Sequence, residues 1–231
     1  MKLGAIIQAR MSSERLPGKV LMPLNGRPVL AYVLERLQRA RGLDEIVVAT
    51  SSQRSDDPVA DFCSQREVSV FRGGLEDVAG RFAGAAEQYG FDAFVRVSGD
   101  SPLLDQHLVE RGVQLFRDGE AEIVSNVFPR RCPVGESVEV VSLAALRRAL
   151  PAMGAKHREH VTLAFYEQPE HFSIVGFALG DKDSSGISLA VDSPADAELV
   201  ATILERMERP HWDYDLQDLL ELRERVTGGE G

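Results

Sequence analysis

The chain has 231 residues, of which 44% are hydrophobic, and a formal net charge of −10. That length and apolar content suit one α/β unit with a sizeable core, and the acidic balance excludes a general nucleic-acid or membrane-surface binder. Cys63 and Cys132 form neither a disulfide framework nor a zinc spacing. No apolar run approaches the ~18 residues of a membrane span, and Met1-Lys2-Leu3 leads into a strand without the form of a signal peptide. A cytoplasmic protein is expected.

Leu3 to Ile7 is an apolar run of strand length. The loop after it carries Arg10, Arg15 and Lys19, punctuated by Ser12, Ser13, Pro17 and Gly18. Such a loop suits a triphosphate, because Arg offers a planar fork to phosphate oxygens and Lys a mobile point charge. A solvated surface loop is the alternative reading. Gly18-Lys19 is followed by Val20, and Ser13 stands where a P-loop has its first Gly, so this is not that motif; the dinucleotide fingerprint is also missing.

Pro28 suits the first turn of a helix burying Val29, Leu30, Val33, Leu34 and Leu37. Glu45 to Thr50 reads as a parallel strand covered on both faces. Thr50 and Ser51 then lie where open α/β sheets bind ligands, or cap a helix starting near Asp56 or Asp57. Val68 to Phe71 is a strand, Gly73-Gly74 a turn, and Glu76 to Tyr89 a helix that carries Arg81. Ala93 to Val97 is a strand delivering Ser98-Gly99-Asp100-Ser101-Pro102-Leu103. An Asp at that point suits Mg²⁺, which takes one or two carboxylates and completes its shell with water and phosphate oxygens; an Asx-turn is the alternative.

Asp105 to Asp118 reads as a helix, Glu122 to Ser125 as a strand, and residues 126–135 as an irregular, locally basic loop with Arg130-Arg131. Glu136 to Val141 has a strand pattern, Ser142 to Leu150 a helical one, and Lys156 opens a further helix through Tyr166. His157 and His160 also have a spacing found in metal pairs. His171 to Phe177 is a strand, Gly180 to Gly186 a charged turn, and Ile187 to Val191 a last strand delivering Asp192. Ser193, Pro194 and Asp196 have the form of a capping box, which accounts for Ser193 and Asp196 but not for Asp192. Helices follow through Met207 and over Asp215 to Val226, with a frayed tail at 227–231. Alternation of strands and helices predicts a mostly parallel sheet.

The order Ala9-Arg10, Ser13, Arg15-Leu16-Pro17-Gly18-Lys19 resembles the signature of cytidylyltransferases that activate acidic sugars, such as 3-deoxy-manno-octulosonate and sialic acid (nonulosonate). Ile7 to Met11 resembles the opening of the spore-coat polysaccharide type. Gly99-Asp100-Ser101-Pro102-Leu103, Arg158-Glu159-His160-Val161-Thr162 and Val191-Asp192-Ser193-Pro194-Ala195-Asp196 are similar to later motifs of the same family. The resemblance implies a Rossmann-like nucleotidyltransferase fold over residues 1–226, with helices on both faces of the sheet. It also implies a protruding hairpin or arm at 126–141 that contributes to a homodimer.

By the same resemblance, Ala9, Arg10, Met11, Ser13, Arg15, Lys19, Thr50, Ser51, Arg81, Ser98 and Asp100 would contact the nucleotide. Asp100 and Asp192 would hold Mg²⁺ and, with Arg10 and Lys19, form the catalytic set. Arg130, Glu139, His157, Arg158 and His160 would meet the acceptor. The chain departs from the family at Pro133-Val134-Gly135, where relatives keep Pro-Asp-Gly, and at Ser101, where Cys or Glu is frequent. The expected activity is transfer of CMP from CTP to a sugar. A nucleotide-sugar-dependent glycosyltransferase would favour an Asp-x-Asp motif, which Asp100-Ser101-Pro102 is not. A catalytically inactive nucleotide-binding protein would favour loss of a carboxylate.

Overall fold

The computed structural model describes residues 1–178 and 183–228. Its strands are β1 (Leu3–Gln8), a small hairpin of β2 (Pro23–Leu24) and β3 (Arg27–Pro28), β4 (Ile46–Ser51), β5 (Ser69–Gly73), β6 (Ala93–Ser98), β7 (Ile123–Ser125), β8 (Glu139–Ser142) and β9 (Ile174–Gly176). The helices are α1 (Val29–Leu37), α2 (Asp57–Ser64), α3 (Val78–Gln88), α4 (Gln106–Asp118), α5 (Leu143–Ala149), α6 (Ala155–Glu159), α7 (Leu163–Glu167), α8 (Pro194–Glu205) and α9 (Leu216–Gly228). Among the described residues, seven strands form one sheet in the order β5-β4-β1-β6-β8-β7-β9. Every neighbouring pair is parallel except the two made by β8, which runs against both β6 and β7.

Period-two alternation divides the apolar runs between two cores. Ala5 and Ile7 face one core with Val48, Val95 and Val124, covered by α1, α2, α4, α8 and α9. Ile6 faces the other with Val47, Ala49 and Phe94, covered by α3, α5 and Phe165 of α7. Cys63 is a buried member of the first core, and burial pushes its thiol up to about 12. Helix starts follow their local chemistry: Asp77 accepts from Gly80 N–H at 2.9 Å, and Ser193 with Asp196 closes a capping box at α8.

Three expectations change. Ile187 to Val191 is not a strand; Ser188 makes only an isolated bridge to Val134. Its backbone instead bonds to two loops: Val134 N–H donates to Ile187 O at 2.9 Å, Leu189 N–H to Val134 O at 2.8 Å, and Val191 N–H to Asp100 O at 2.8 Å. An apolar run reports burial, and Leu189, Ala190 and Val191 are buried, but the run does not specify its hydrogen-bonding partner. Gly135 makes the seating possible. Its φ of +101° lies in the left-handed region, and a Cβ there would come within 2.9 Å of Ala190 N.

The helix expected from Lys156 to Tyr166 is broken into α6 and α7, with His160 C-capping α6 at φ −109° and ψ 69°. Glu136 does not begin a strand; it is fully buried in the loop, and β8 starts at Glu139. Within the 126–141 excursion Asn126, Cys132 and Glu136 are buried, while Pro129 to Arg131 and Val134 are exposed. The turn expected at Gly180–Gly186 falls partly outside the described residues. α9 continues through Gly228, and the last three residues also lie outside. No helix of the described residues is long and apolar enough to cross a membrane.

Candidate active site

Parallel pairing brings the C-terminal ends of β1, β4 and β6 to one edge. Gln8 lies opposite both Ala49 and Ser98, and Gly99 N–H donates to Gln8 O at 2.9 Å. The cationic loop and the Asp100 turn therefore leave the sheet side by side. The loop closes on itself where Gly18 N–H donates to Met11 O at 2.9 Å, and Gly18, at φ +75°, then opens the short 3₁₀ turn that holds Lys19. Its other end is pinned by Asp56, which local pattern marks only as a possible helix start. Buried Asp56 accepts from Met11 N–H at 2.7 Å and also binds the Ser51 hydroxyl. Asp56 sits at the N-cap of α2 but makes no capping bond there.

Asp192 arrives through the bond from Val191 N–H to Asp100 O, which fixes residue 192 beside residue 100. Lys19 Nζ donates to Asp100 Oδ2 at 2.5 Å and to Asp192 Oδ1 at 2.6 Å. Arg15 reaches Asp192 Oδ2 at 3.2 Å, and the Ser101 hydroxyl lies 3.3 Å from Asp100 Oδ1. The Lys19 side chain is 11% exposed. Burial alone would lower its pKa, but the two carboxylates outweigh burial and hold the ammonium above its ordinary value of 10.5. Burial alone would raise Asp192; its bonds to Lys19 and Arg15 bring it below the ordinary carboxylate value.

Arg15, Lys19, Asp100 and Asp192 line a cleft of about 390 Å³ together with Ala9, Arg10, Ser13, Arg81 and His160. Gln8, Glu14, Val20, Val78, Arg96 and Glu159 complete the lining, none of them selected from the sequence. Arg96 carried a usable signal, as a charge inside an otherwise apolar strand. Its guanidinium donates to Glu139 at 2.6 Å and to Gln8 at 3.3 Å. Arg81 is almost wholly buried, donating at 2.7 Å to the carbonyls of Gly74 and Leu75.

Residues 4–204 match the family model described as cytidylyltransferase. The chain belongs to the cytidylyltransferase family. It is 29% identical over 228 residues to the spore coat polysaccharide biosynthesis protein SpsF of Bacillus subtilis, covering 95% of this chain and 93% of that one. It is 37% identical over 132 residues to the 8-amino-3,8-dideoxy-manno-octulosonate cytidylyltransferase of Shewanella amazonensis, covering 54% and 52%. Its fold matches a cytidylyltransferase from Leptospira borgpetersenii at a TM-score of 0.93 and 30% identity, over 99% of this chain and 96% of that one.

Within this cytidylyltransferase-family fold, several expected contacts lie off the cleft. Thr50 and Ser51 are fully buried beneath it, and Ser98 pairs with Gln8 at 3.4 Å. Met11 contributes its backbone to the loop. Glu139 is buried, shared between Arg96 and Tyr166, and so acts on the cleft only through Arg96. Arg130 lies on the exposed loop, 3.0 Å from the Ser137 hydroxyl. The two histidines diverge: His160 faces the cleft, whereas His157 pairs with Glu167 at 2.7 Å and borders a separate hollow. Arg158 bonds Asp77 at 2.8 Å and lines a second, larger cleft of about 670 Å³, which adjoins the first through Arg10, Ser13, Glu14 and Glu159.

Proposed function

We propose that the chain transfers CMP from CTP to a hydroxyl of an acidic sugar and releases pyrophosphate, acting in the cytoplasm in polysaccharide or glycoconjugate synthesis. The observation that carries this reading is the meeting of Lys19 with Asp100 and Asp192 in a cleft that also holds Arg10 and Arg15. The family's cytidylyltransferase description supports the nucleotide, and the octulosonate in a relative's name supports the acidic acceptor.

The chemistry demands charge neutralisation, because an anionic triphosphate repels an anionic acceptor. Arg10, Arg15 and Lys19 supply cations for the phosphates. Asp100 and Asp192 present oxygen donors of the kind a hard divalent cation prefers, and Mg²⁺ is the ion this donor set suits. Among the described residues no cluster of three or more His, Cys, Asp or Glu forms a complete metal cage. Two carboxylates fit Mg²⁺, which draws the rest of its shell from water and phosphate. When bound, the ion would offset charge developing at the α-phosphate. Catalysis by the chain itself is then positioning and electrostatics. His160 is one of the cleft groups, with Glu14 and Glu159, that could take the acceptor proton.

Pyrophosphate release across CTP, ATP, GTP and UTP, with a panel of acidic sugars as acceptors, tests the reading. CTP is expected to dominate; equal turnover of all four nucleotides would refute it.

We also propose a homodimer joined through the 126–141 loop and the neighbouring edge strand β9. Val134 and Val175 are left 38% and 41% exposed there. Phe128, Pro129, Arg131, Cys132 and Gly176 to Ala178 line one shared hollow. Light scattering is expected to give twice the chain mass, and a monomer at working concentration would remove the dimer.

A further inference from the structure

The two carboxylates that would hold a divalent cation are already engaged. Lys19 Nζ takes one oxygen of each, at 2.5 Å and 2.6 Å. Arg15 approaches the second oxygen of Asp192, and the Ser101 hydroxyl the second oxygen of Asp100. Every carboxylate oxygen therefore has a donor from the chain. The ammonium thus lies between the two carboxylates, where a cation held by both would compete with it. The backbone bond from Val191 N–H to Asp100 O keeps residues 100 and 192 side by side.

From this geometry we infer that Lys19 is an internal latch on the carboxylate pair. The free chain binds a divalent cation poorly, and the site takes its cation only as Lys19 is drawn off by an incoming polyphosphate. The latch has a simple energetic basis. A bare pair of close carboxylates in a partly buried cleft is costly, and Lys19 offsets that cost in the empty enzyme. A cation arriving alone must expel the ammonium into the cleft without a partner. A triphosphate arriving with a cation gives Lys19 a new anionic partner while the cation takes its place. The two ligands are thus coupled, and linkage requires each to raise the other's affinity by the same factor. That the drawing anion is a nucleotide triphosphate rests on the function proposed above; the latch itself does not.

The experiment uses Mn²⁺ as the probe, with free ion followed by electron paramagnetic resonance and no nucleotide present. Lys19→Met is expected to bind Mn²⁺ at least tenfold more tightly than the unsubstituted chain, and its thermal midpoint is expected to rise at Mn²⁺ concentrations that leave the unsubstituted chain unmoved. Arg15→Met removes the same charge nearby but not from between the carboxylates, and should change Mn²⁺ affinity less than threefold. Adding Asp192→Asn to Lys19→Met should abolish the gain. If Lys19→Met folds poorly, Lys19→Gln, which keeps a polar side chain but not the charge, should show a gain in the same direction. The latch is overturned if Lys19 variants bind no tighter, if Arg15→Met gains as much, or if the gain survives loss of Asp192. A second arm measures CTP binding by equilibrium dialysis with and without Mg²⁺. The enhancement by Mg²⁺ should be several-fold larger in the unsubstituted chain than in Lys19→Met, and equal enhancement would overturn the coupling. If no CTP binds at all, the proposed function fails while the Mn²⁺ arm still decides the latch.

Discussion

Asp100→Asn and Asp192→Asn are each expected to lower turnover about a hundredfold or more while leaving a folded protein. Asn preserves shape but removes charge from the position that would hold a hard cation, and losing one such stabilising contact typically costs ~3 kcal/mol of barrier. Folding survives for a reason visible in the structure: Lys19 bonds both aspartates, so either variant leaves it one charged partner. The double variant should be little worse than either single one, as expected for groups that act as a unit. The measurement is pyrophosphate release at saturating CTP, paired with thermal melts. Near-normal turnover of Asp192→Asn at limiting Mg²⁺ would reduce Asp192 to part of the α8 start and remove the two-carboxylate site.

The second large effect concerns stability and lies far from the cleft. Arg36 on α1 is fully buried. It donates to the carbonyls of Leu104 and Tyr214 at 3.4 Å and 3.1 Å, to Gln106 at 3.3 Å, and to the carbonyl of His211. Arg36→Met would leave those acceptors unmet and remove the positive charge facing buried Glu136 and Asp105. Breaking a buried charge network in this way costs about 3–5 kcal/mol, a large share of the roughly 5–15 kcal/mol that holds a domain folded. The urea midpoint should fall accordingly.

The same network has a signed pH dependence. Burial pushes Glu136 from its ordinary 4.5 up to about 8. A carboxyl raised by folding contributes stability that is fully present below its unfolded value and is lost as pH rises through its folded value. Stability from this group therefore falls between about pH 4.5 and pH 8. Without the Arg36 charge, which lowers the Glu136 value, the fall should extend above pH 8. An unchanged midpoint and pH profile in Arg36→Met would refute both points.

What could be read in advance followed the strength of the local signal. β1, β4 and β6 were legible because short, largely apolar runs containing Ile and Val and bounded by polar turns leave few alternatives. The approach of Lys19, Asp100 and Asp192 was legible only through the family's motif order; nothing in residue spacing alone joins position 19 to position 192. The apolar run at Ile187 to Val191 misled, since burial against loops and burial in a sheet select the same side chains. The helix break at His160 to Thr162 gave no warning, because neither Gly nor Pro marks it. Asp56 was hidden for a different reason. Its position suits a helix start, and only the fold shows its carboxylate turned back toward Met11 and Ser51. Arg96 and Glu139 were each visible, but their pairing across β6 and β8 depends on an antiparallel register that no short-range pattern encodes.

The antiparallel strand β8 also has a consequence for how the molecule is made. The block β5-β4-β1-β6 is complete in sequence by residue 98, whereas β8, β7 and β9 and the second carboxylate all come later. A chain emerging from the ribosome, folding from its N-terminus as synthesis proceeds, can assemble the cationic loop beside Asp100 long before Asp192 exists. Throughout that interval Lys19 has one carboxylate in reach, and the Val191 N–H that aligns the second is still unmade. Premature termination or proteolytic loss of the last forty or so residues would leave the same half-built arrangement. The paired site is therefore a property of nearly the whole chain.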